Sequence, residues 1–347
     1  MHTHANKHAR TSAAAPKAGR RHRAAKWARV ALVAAAPVMG AGAVASPALA
    51  TPQSGTSNYR FHTIDNQKDL TFNQLLGINE NGLIAGYFGS GMPMHPNQGY
   101  LLSVRHGQAH YRDENWPESI QTQVTGLNDN GVTVGFWSTM NNAGVNGAAP
   151  VNDNRGFVNY RGLFIDGDYP TDNPASPPAD QMLGVNDHDI AVGFYTDGNG
   201  NNHAYTFNIL RGEFSEVTPN GVTSPQGTGI NNHGDIVGIG TSNGQMVGFL
   251  LRRDGHVTVL SVPGSTMTQA LGVNDHDEVV GVYGTGSDST AETHGFVWTP
   301  RGGFQTQVDD PKGLGATTIN GVNDRGQLVG FYADANNNTD GFLADPR

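Results

Sequence analysis

The chain has 347 residues, with 30 acidic against 21 basic residues and a formal net charge of −9 at pH 7. It contains no cysteine, so disulfide bonds are excluded and stability must come from packing. The first fifty residues hold eight of the basic residues and no acid, so the rest of the chain keeps 13 basic residues and a formal charge of −17. Such an acidic surface repels phosphate backbones, so we expect no nucleic acid partner.

Residues 1–50 have the pattern of a secretory signal peptide. A basic stretch that ends at Arg29 is followed by an apolar run and then by Ala48-Leu49-Ala50. Pro37 interrupts the apolar run, which is too short for a membrane span. We predict cleavage near Ala50, a linker at residues 51–58, and a secreted mature chain without a membrane span. The general secretory route is favoured because Phe-Leu-Lys does not follow the twin arginine Arg20-Arg21, and a disordered basic tail is the alternative.

One phrase then recurs six times, as in Gly272-Val273-Asn274-Asp275-His276-Asp277. Each copy closes with a second glycine after two or three apolar positions. The intervals between the leading glycines are 49, 58, 45, 43 and 49 residues. A period of about 40–50 residues in a strand-rich chain is typical of a β-propeller with one repeat per blade. The leading glycines are Gly77, Gly126, Gly184, Gly229, Gly272 and Gly321.

The fifth repeat predicts four antiparallel strands, at residues 269–274, 278–283, 294–298 and 304–308. Glycine, Asn and Asp in the connecting turns tolerate positive φ, and Gly131, Gly234 and Gly326 are expected to adopt it. The chain ends after a third strand, whereas residues 59–65 resemble a fourth. We therefore predict that residues 59–347 form an all-β, six-bladed propeller that the N-terminal strand closes. An open solenoid is the alternative.

The repeat resembles the extracellular HAF repeat, named after a His-Ala-Phe element. The matching residues are the Gly-aliphatic-Asn-Asp phrases together with His203-Ala204-Tyr205 and His294-Gly295-Phe296. The other four copies depart from His-Ala-Phe, as in Arg155-Gly156-Phe157. The resemblance covers essentially the whole mature chain and implies a secreted bacterial β-repeat protein. It implies no activity that could be assigned residue by residue.

Loop length distinguishes the two faces of the predicted ring. The turns between strands one and two, and between three and four, are short; the remaining connections are long and polar, for example residues 89–98, 138–154 and 166–180. We call these two sides the short-turn face and the long-loop face. Binding and catalytic residues usually lie on loops that a rigid scaffold positions, so we place any site on the long-loop face.

A ring of amides is expected near the axis of the propeller. Gln74, Gln123 and Gln181, with Gln226 and Gln269, stand three residues before their leading glycines, and Thr318 takes this position in the sixth repeat. If the first strand of each blade is innermost, these amides surround the central channel and could bind ligand hydroxyl groups. The alternative is that each glutamine bonds to the backbone of the next blade.

Aromatic residues end the second strand of most blades, among them Phe88, Trp137 and Tyr195. Their rings could stack on sugars beside the amides, or they could simply pack between blades. We therefore take Phe88, Trp137 and Tyr195 with Gln74, Gln123 and Gln181 as the candidate ligand-binding residues, clustered over blades one to three.

The remaining polar residues give weaker signals. His188, His233 and His276 fall in short turns of separate blades, where solvated turn residues are common, and the Asn-Asp pairs of the repeats suit tight turns better than calcium loops. His203 and His294 begin third strands on the long-loop face, as candidate bases or as capping residues. We predict no cofactor and no metal site, because zinc-type spacings and nucleotide-binding or nucleophile motifs are missing from the sequence.

Three functions remain open. The first is a monomeric, secreted, non-catalytic binding module for a glycan or another polar extracellular ligand. The second is a hydrolase or lyase that acts on a polysaccharide or a small secreted metabolite, suggested by the uneven loop lengths and by carboxylates such as Asp166, Asp168 and Asp180 on the long-loop face. The third is a structural protein of the cell envelope or matrix.

Overall fold

The computed structural model describes residues 58–92, 94–139, 153–286 and 291–347. These residues form six four-stranded antiparallel sheets and no helix, and the sheets are arranged as a six-bladed propeller. The predicted signal peptide and all of the predicted linker except its last residue lie outside the described residues. In the described ranges no helix is long and apolar enough to cross a membrane.

Twenty-four strands build the blades. They are β1 (Tyr59–Ile64), β2 (Asn73–Ile78), β3 (Leu83–Phe88), β4 (Gln98–Arg105), β5 (Gln108–Asp113), β6 (Gln121–Leu127), β7 (Val132–Ser138), β8 (Arg155–Tyr160), β9 (Leu163–Asp166), β10 (Asp180–Val185), β11 (Ile190–Thr196), β12 (Asn202–Asn208), β13 (Glu213–Val217), β14 (Thr223–Ile230), β15 (Ile236–Ser242), β16 (Gln245–Leu251), β17 (Val257–Leu260), β18 (Met267–Val273), β19 (Val279–Thr285), β20 (Glu292–Thr299), β21 (Gly303–Gln305), β22 (Thr317–Val322), β23 (Leu328–Ala333) and β24 (Thr339–Pro346).

Each of blades one to five uses four consecutive strands, starting with β2, β6, β10, β14 and β18, and blade six has the order β1-β24-β23-β22. The four strands predicted for blade five correspond to β18 to β21, with boundaries that differ by up to three residues and a shorter last strand. The expected positive φ is confirmed at Gly131, Gly234 and Gly326, where it is 81°, 83° and 70°.

The first strands of the blades surround the axis and meet at their leading glycines. A Cβ on Gly77 would lie 3.3 Å from the Cα of Gly126, and a Cβ on Gly321 would lie 3.3 Å from the Cα of Gly77. The same contact links every leading glycine to the next, at 3.0–3.3 Å. The leading glycine recurs because two backbones meet there and leave no room for a side chain.

The second repeated glycine is required for a different contact. In every first strand the register shifts by one residue just before the leading glycine, as between Leu75 and Gly77, which forms a bulge that the sequence pattern did not predict. A Cβ on Gly86 would lie 2.3 Å from the carbonyl oxygen of Gln74 and 3.0 Å from the Tyr100 hydroxyl. Because glycine has no side chain, both the carbonyl of the first strand and a buried aromatic ring of the third strand can pack against this position. That aromatic residue corresponds to the Phe of His-Ala-Phe.

The repeated asparagines form a closed ring of hydrogen bonds on the short-turn face. In each of them Oδ1 accepts two backbone N–H groups of its own turn, as Asn79 does from Asn81 and Leu83. Each Nδ2 donates to the backbone carbonyl of the equivalent asparagine in the next blade, at 2.9–3.2 Å. The ring members are Asn79, Asn128, Asn186, Asn231, Asn274 and Asn323.

A second ring, which we call the acidic ring, lies beside the first. The backbone N–H of each member donates to the side chain of the equivalent residue in the next blade, at 2.6–3.0 Å. Burial and neighbouring carboxylates raise the pKa values of Glu80 and Asp129. The members are Glu80, Asp129, Asp187, Asn232, Asp275 and Asp324.

The N-terminal strand closes the propeller, as the sequence predicted. β1 pairs with β24 over its full length, from Tyr59 opposite Pro346 to Ile64 opposite Gly341. The ring of Phe61 meets the buried Phe342 edge to face at a centroid distance of 5.1 Å. The hydroxyl groups of Thr63 in β1 and Tyr332 in β23 are 2.9 Å apart. The two ends of the chain therefore share one blade, and the structure is a closed ring.

Deleting residues 59–64 should open the ring. The deletion removes a complete strand ladder and exposes the edge of β24, so we expect aggregation or a loss of more than about 4 kcal/mol of stability. Thermal melting followed by circular dichroism and light scattering measures this. Deleting residues 51–56 is the control and should leave the melting temperature unchanged. An unchanged melt without residues 59–64 would contradict closure by β1.

Asn232, the single amide of the acidic ring, should stabilise the folded protein more than a sixth carboxylate would. Asn232 Nδ2 donates to Asp187 Oδ2 at 3.0 Å and to Asp275 Oδ2 at 2.9 Å. Asn232→Asp removes both bonds and brings three carboxylates together, so we expect a loss of about 1–3 kcal/mol at pH 7 in urea unfolding.

The same variant should show a defined pH dependence. The pKa of its new carboxyl group is raised in the folded state but not in the unfolded state. As the pH falls towards 4.5, the folded protein therefore takes up a proton at this group, and the loss of stability relative to the wild type becomes smaller. Asn243→Asp, at an exposed turn with positive φ, is the control and should stay within about 0.5 kcal/mol of the wild type at both pH values. Equal stability of Asn232→Asp and wild type at pH 7 would refute the role of the amide.

Candidate functional site

The glutamines that precede the leading glycines surround the axis on the side of the long-loop face. Gln74 pairs with Tyr87 and Gly77 with Ala85, and since these partners are two residues apart, Gln74 and Gly77 lie on the same face of the sheet. A side chain on Gly77 would point at Gly126 of the next blade, so the glutamine side chain also points between successive first strands. We call Gln74, Gln123, Gln181, Gln226, Gln269 and Thr318 the axial amide ring.

Several polar atoms of this ring are buried without a partner. The Tyr87 hydroxyl donates to Gln74 Oε1 at 2.8 Å, and Gln269 Nε2 donates to Met246 Sδ at 3.3 Å. Gln74 Nε2, Gln181 Oε1 and Gln226 Oε1 are buried and have no hydrogen-bond partner in the described part of the chain. There, too, no amide of the ring bonds to the backbone of a neighbouring blade; the asparagines perform that role instead.

Three leucines lie between the axial amide ring and the glycines. Leu76, Leu183 and Leu271 directly precede the leading glycines of blades one, three and five and are buried. Leu183 packs against Phe136 of blade two and Phe194 of its own blade, which a side chain can do only from the axis side of the strand. In blades one, three and five the floor beneath the amides is therefore apolar.

The intervening blades have polar residues at this position. Thr125 Oγ1 donates to the carbonyl of Met182 at 2.7 Å, and Thr228 Oγ1 donates to that of Ala270 at 2.8 Å. In blade six, Asn320 Nδ2 makes the equivalent bond at 3.2 Å, to the carbonyl of Leu75. The six blades thus alternate between leucine and a hydrogen-bonding residue. This alternation is visible in the sequence, but the repeated phrase does not indicate it, because the phrase begins at the leading glycine and these residues precede it.

The structure places the three candidate aromatics away from the axial amides. Phe88, Trp137 and Tyr195 lie opposite residues that neighbour the glutamines in sequence, on the other face of each sheet. The sequence had instead suggested that these rings lie beside the amides in one cluster over blades one to three. The site residues therefore form two groups, and only the three glutamines share the axis.

The aromatics are engaged by neighbouring side chains. Trp137 stacks on Trp116 at a centroid distance of 5.0 Å, and Arg155 lies over its ring at 5.8 Å. Tyr195 stacks on Tyr169 at 4.5 Å and on His203 at 4.9 Å. The geometry favours packing for these rings, and a role in sugar binding stays a prediction for them.

Phe88 is half-buried, as Trp137 is, whereas Tyr195 is buried. Phe88 stacks on Tyr100 at a centroid distance of 6.5 Å, and Lys68 Nζ lies 5.7 Å from its ring centre.

Trp116 and Tyr169, the stacking partners of Trp137 and Tyr195, come from connections between blades, which differ in length and sequence. No repeat pattern could therefore have indicated them.

The two histidines that begin third strands bond to carboxylates. His294 Nδ1 lies 2.7 Å from Asp309 Oδ2, and this hydrogen bond raises the pKa of the imidazole. Asp309 Oδ1 also accepts the N–H of Gly295 at 3.0 Å. In blade two, Arg155 takes the place of the histidine and keeps the same arrangement, with Asp168 as its partner at 3.2 Å. These residues cap the loop that leaves the fourth strand.

The three turn histidines are exposed, as predicted. His233 also belongs to a group with Asp235 and Asp277, whose potential ligand atoms lie within 4.8 Å of one another. This group borders a cavity of about 500 Å³ on the short-turn face. Arg252 donates to both carboxylates, at 2.9 Å to Asp235, and so occupies the position that a cation would need.

Two carboxylates, the half-buried Asp168 and the buried Asp180, lie on the long-loop face at the connection between blades two and three. Asp180 Oδ1 accepts from the Tyr205 hydroxyl at 2.5 Å and Oδ2 accepts the N–H of Tyr169 at 2.8 Å, and burial raises the pKa of this carboxyl well above its usual range. Burial and the nearby Asp166 raise the pKa of Asp168 to about 6. Sequence analysis named these residues but could not pair them.

The same structural position in blade one holds an amide. Asn73 Oδ1 accepts from the Tyr100 hydroxyl at 2.5 Å, just as Asp180 accepts from Tyr205. Both acceptors begin the first strand of their blade and both tyrosines are in the third strand. The hydrogen bond from this tyrosine to the first residue of the first strand therefore recurs in the two blades, with an amide as acceptor in blade one and a carboxyl group in blade three.

Comparisons with known proteins assign no family and carry no functional argument. The sequence matches no protein-family model, and no curated protein matches it significantly. Among solved structures, a catalytically inactive virginiamycin B lyase from Staphylococcus aureus with quinupristin is similar over 82% of this chain and 99% of its own, at 10% identity and a TM-score of 0.43. Trypanosoma rangeli sialidase is similar over 79% of this chain and 54% of its own, at 8% identity and a TM-score of 0.46. A polysaccharide lyase described as an ulvan lyase is similar over 77% of this chain and 78% of its own, at 14% identity and a TM-score of 0.40.

Proposed function

We propose that the protein is a secreted, monomeric, non-catalytic binding module that recognises a polar extracellular ligand, most simply a glycan, at the long-loop end of the axis. The observation that carries this proposal is the set of three buried amide atoms without partners, on Gln74, Gln181 and Gln226. A buried polar group without a hydrogen bond destabilises a protein by about 1–3 kcal/mol. A ligand that bonds to these atoms recovers this energy on binding.

Two features of the scaffold support this proposal. The rings of asparagines and acids fix the blades on the short-turn face, so the amides of the axial amide ring are free of that structural task. The long connections of the opposite face surround the amides and vary between blades, which allows one repeated framework to present a specific surface. The acidic surface argues against nucleic acid as the ligand.

Gln181→Met and Gln226→Met should each weaken glycan binding at least about tenfold, or 1.4 kcal/mol. Methionine has a similar length and shape but cannot form the hydrogen bonds. The ligand is first found on a glycan array with the mature protein, and affinities are then measured by titration calorimetry. Gln245→Met, at an exposed turn of the same face, is the matched control and should bind as the wild type does. Unchanged binding by both axial variants would refute the proposal.

A hydrolase or lyase is the second candidate, and Asp168 and Asp180, at the connection between blades two and three, favour it. A carboxyl group with a raised pKa can act as a general acid near neutral pH, and Asp168 and Asp180 both have one. The equivalence of Asp180 and Asn73 argues for the structural role, since an amide makes the same bond to tyrosine in blade one.

Asp180→Asn separates these two interpretations. If the residue is structural, the variant should keep the bond to Tyr205, as Asn73 keeps its bond to Tyr100, but its Nδ2 cannot accept the N–H of Tyr169, so we expect a loss of about 1–3 kcal/mol of stability. If the residue is a general acid, turnover of the glycans that bind on the array should fall by about a hundredfold or more. Product formation is followed by chromatography of reducing ends. We expect no turnover by wild type or variant, and turnover by the wild type that Asp180→Asn abolishes would establish an enzyme.

A further inference from the structure

The surroundings of the axial amide ring carry no formal charge. The ring itself consists of five glutamines and one threonine. The second-strand residues opposite its members are Tyr87, Phe136, Phe194, Ile239, Val282 and Phe331, all buried. The floor consists of three leucines that alternate with the uncharged Thr125, Thr228 and Asn320. A charged ligand group placed here would lose its hydration and gain no counter-charge, which is strongly unfavourable.

The atoms without partners also restrict the chemistry of the ligand. Gln74 Nε2 is a donor, whereas Gln181 Oε1 and Gln226 Oε1 are acceptors. A carboxylate or sulfate only accepts hydrogen bonds and cannot satisfy the two oxygens, and an ammonium group only donates and cannot satisfy the nitrogen. Hydroxyl and acetamido groups do both. The donors and acceptors on the two sides of the axis therefore match an uncharged sugar.

The axis is blocked below the amides. The six leading glycines contact one another in a closed ring, and six equal groups that touch in a ring leave a hole only as wide as one of them. A hole the size of a methylene group does not admit a sugar ring. A polysaccharide cannot thread through the propeller, so only the end of a chain can enter from the long-loop face.

We infer that the axial amide ring recognises the uncharged terminal sugar of a glycan chain. This inference rests on the proposed function and makes it more specific, because it names the part of the glycan that is read. Internal residues, and side chains that carry carboxylate or sulfate, would lie outside the ring among the long loops.

Titration calorimetry with defined oligosaccharides tests this inference. The probes are cellotetraose, mannotetraose and N-acetylchitotetraose as neutral chains, with tetragalacturonate and tetramannuronate as acidic chains. The best neutral binder is then prepared with a carboxylate at one terminal sugar, at either end, and with the same carboxylate at an internal sugar. We expect at least about tenfold weaker binding for one of the two terminally modified chains, the one whose modified sugar enters the ring, and a change of less than about threefold when an internal sugar carries the carboxylate.

The possible outcomes separate the inference from the proposed function. Equal affinity for the neutral chain and both of its terminally modified forms, or tighter binding of the acidic series, would overturn the recognition of an uncharged end. If Gln181→Met and Gln226→Met still weakened binding in that case, the binding function would stand. Failure of the wild-type protein to bind any of the five probes or any glycan on the array would overturn both.

Discussion

The close approach of six backbones at the axis is the constraint on which the rest of the structure depends. Only glycine can stand where each first strand meets the next, because a Cβ there would lie 3.0–3.3 Å from the neighbouring Cα. The following asparagine can then reach the next turn and donate to its carbonyl. One side chain thus forms its own turn and links two blades, so a single short phrase fixes both the shape of a blade and its attachment. Repetition of the phrase closes the ring without a disulfide bond.

This arrangement makes the two ends of the axis different. The short-turn face holds two cyclic sets of hydrogen bonds, and its polar groups are used in holding the blades together. The opposite end holds amides that do not link blades. Because these hydrogen bonds already connect the blades, the glutamines can differ in their contacts from blade to blade. The binding of a ligand that we propose for one end therefore depends on the complete pairing at the other.

The sequence predicted the fold well because the fold depends on the repeated residues. Glycines, asparagines and turn acids recur at fixed positions, and each recurrence reflects a contact that every blade must make. The axial position of Gln74 and its equivalents followed from the same regularity. The stacking of Trp137 on Trp116 and of Tyr195 on Tyr169 could not be predicted, since those partners lie in connections without a repeat. The alternation of leucine with Thr125, Thr228 and Asn320 was present in the sequence, but its meaning depends on the bulge, which periodicity alone does not reveal.

A repeated residue can still build an asymmetric site, since its neighbours are not repeated. Gln74 is bonded by the only tyrosine hydroxyl among the six opposing second-strand residues, and Gln269 meets the sulfur of Met246. Gln181 and Gln226 face a phenylalanine and an isoleucine, which offer no hydrogen bond, so their oxygens stay without partners. These two glutamines belong to adjacent blades. The unmet acceptors are therefore concentrated on one side of the axis, and the unmet donor, Gln74 Nε2 of blade one, lies on the other; this is the asymmetry that recognition of a single chain end requires.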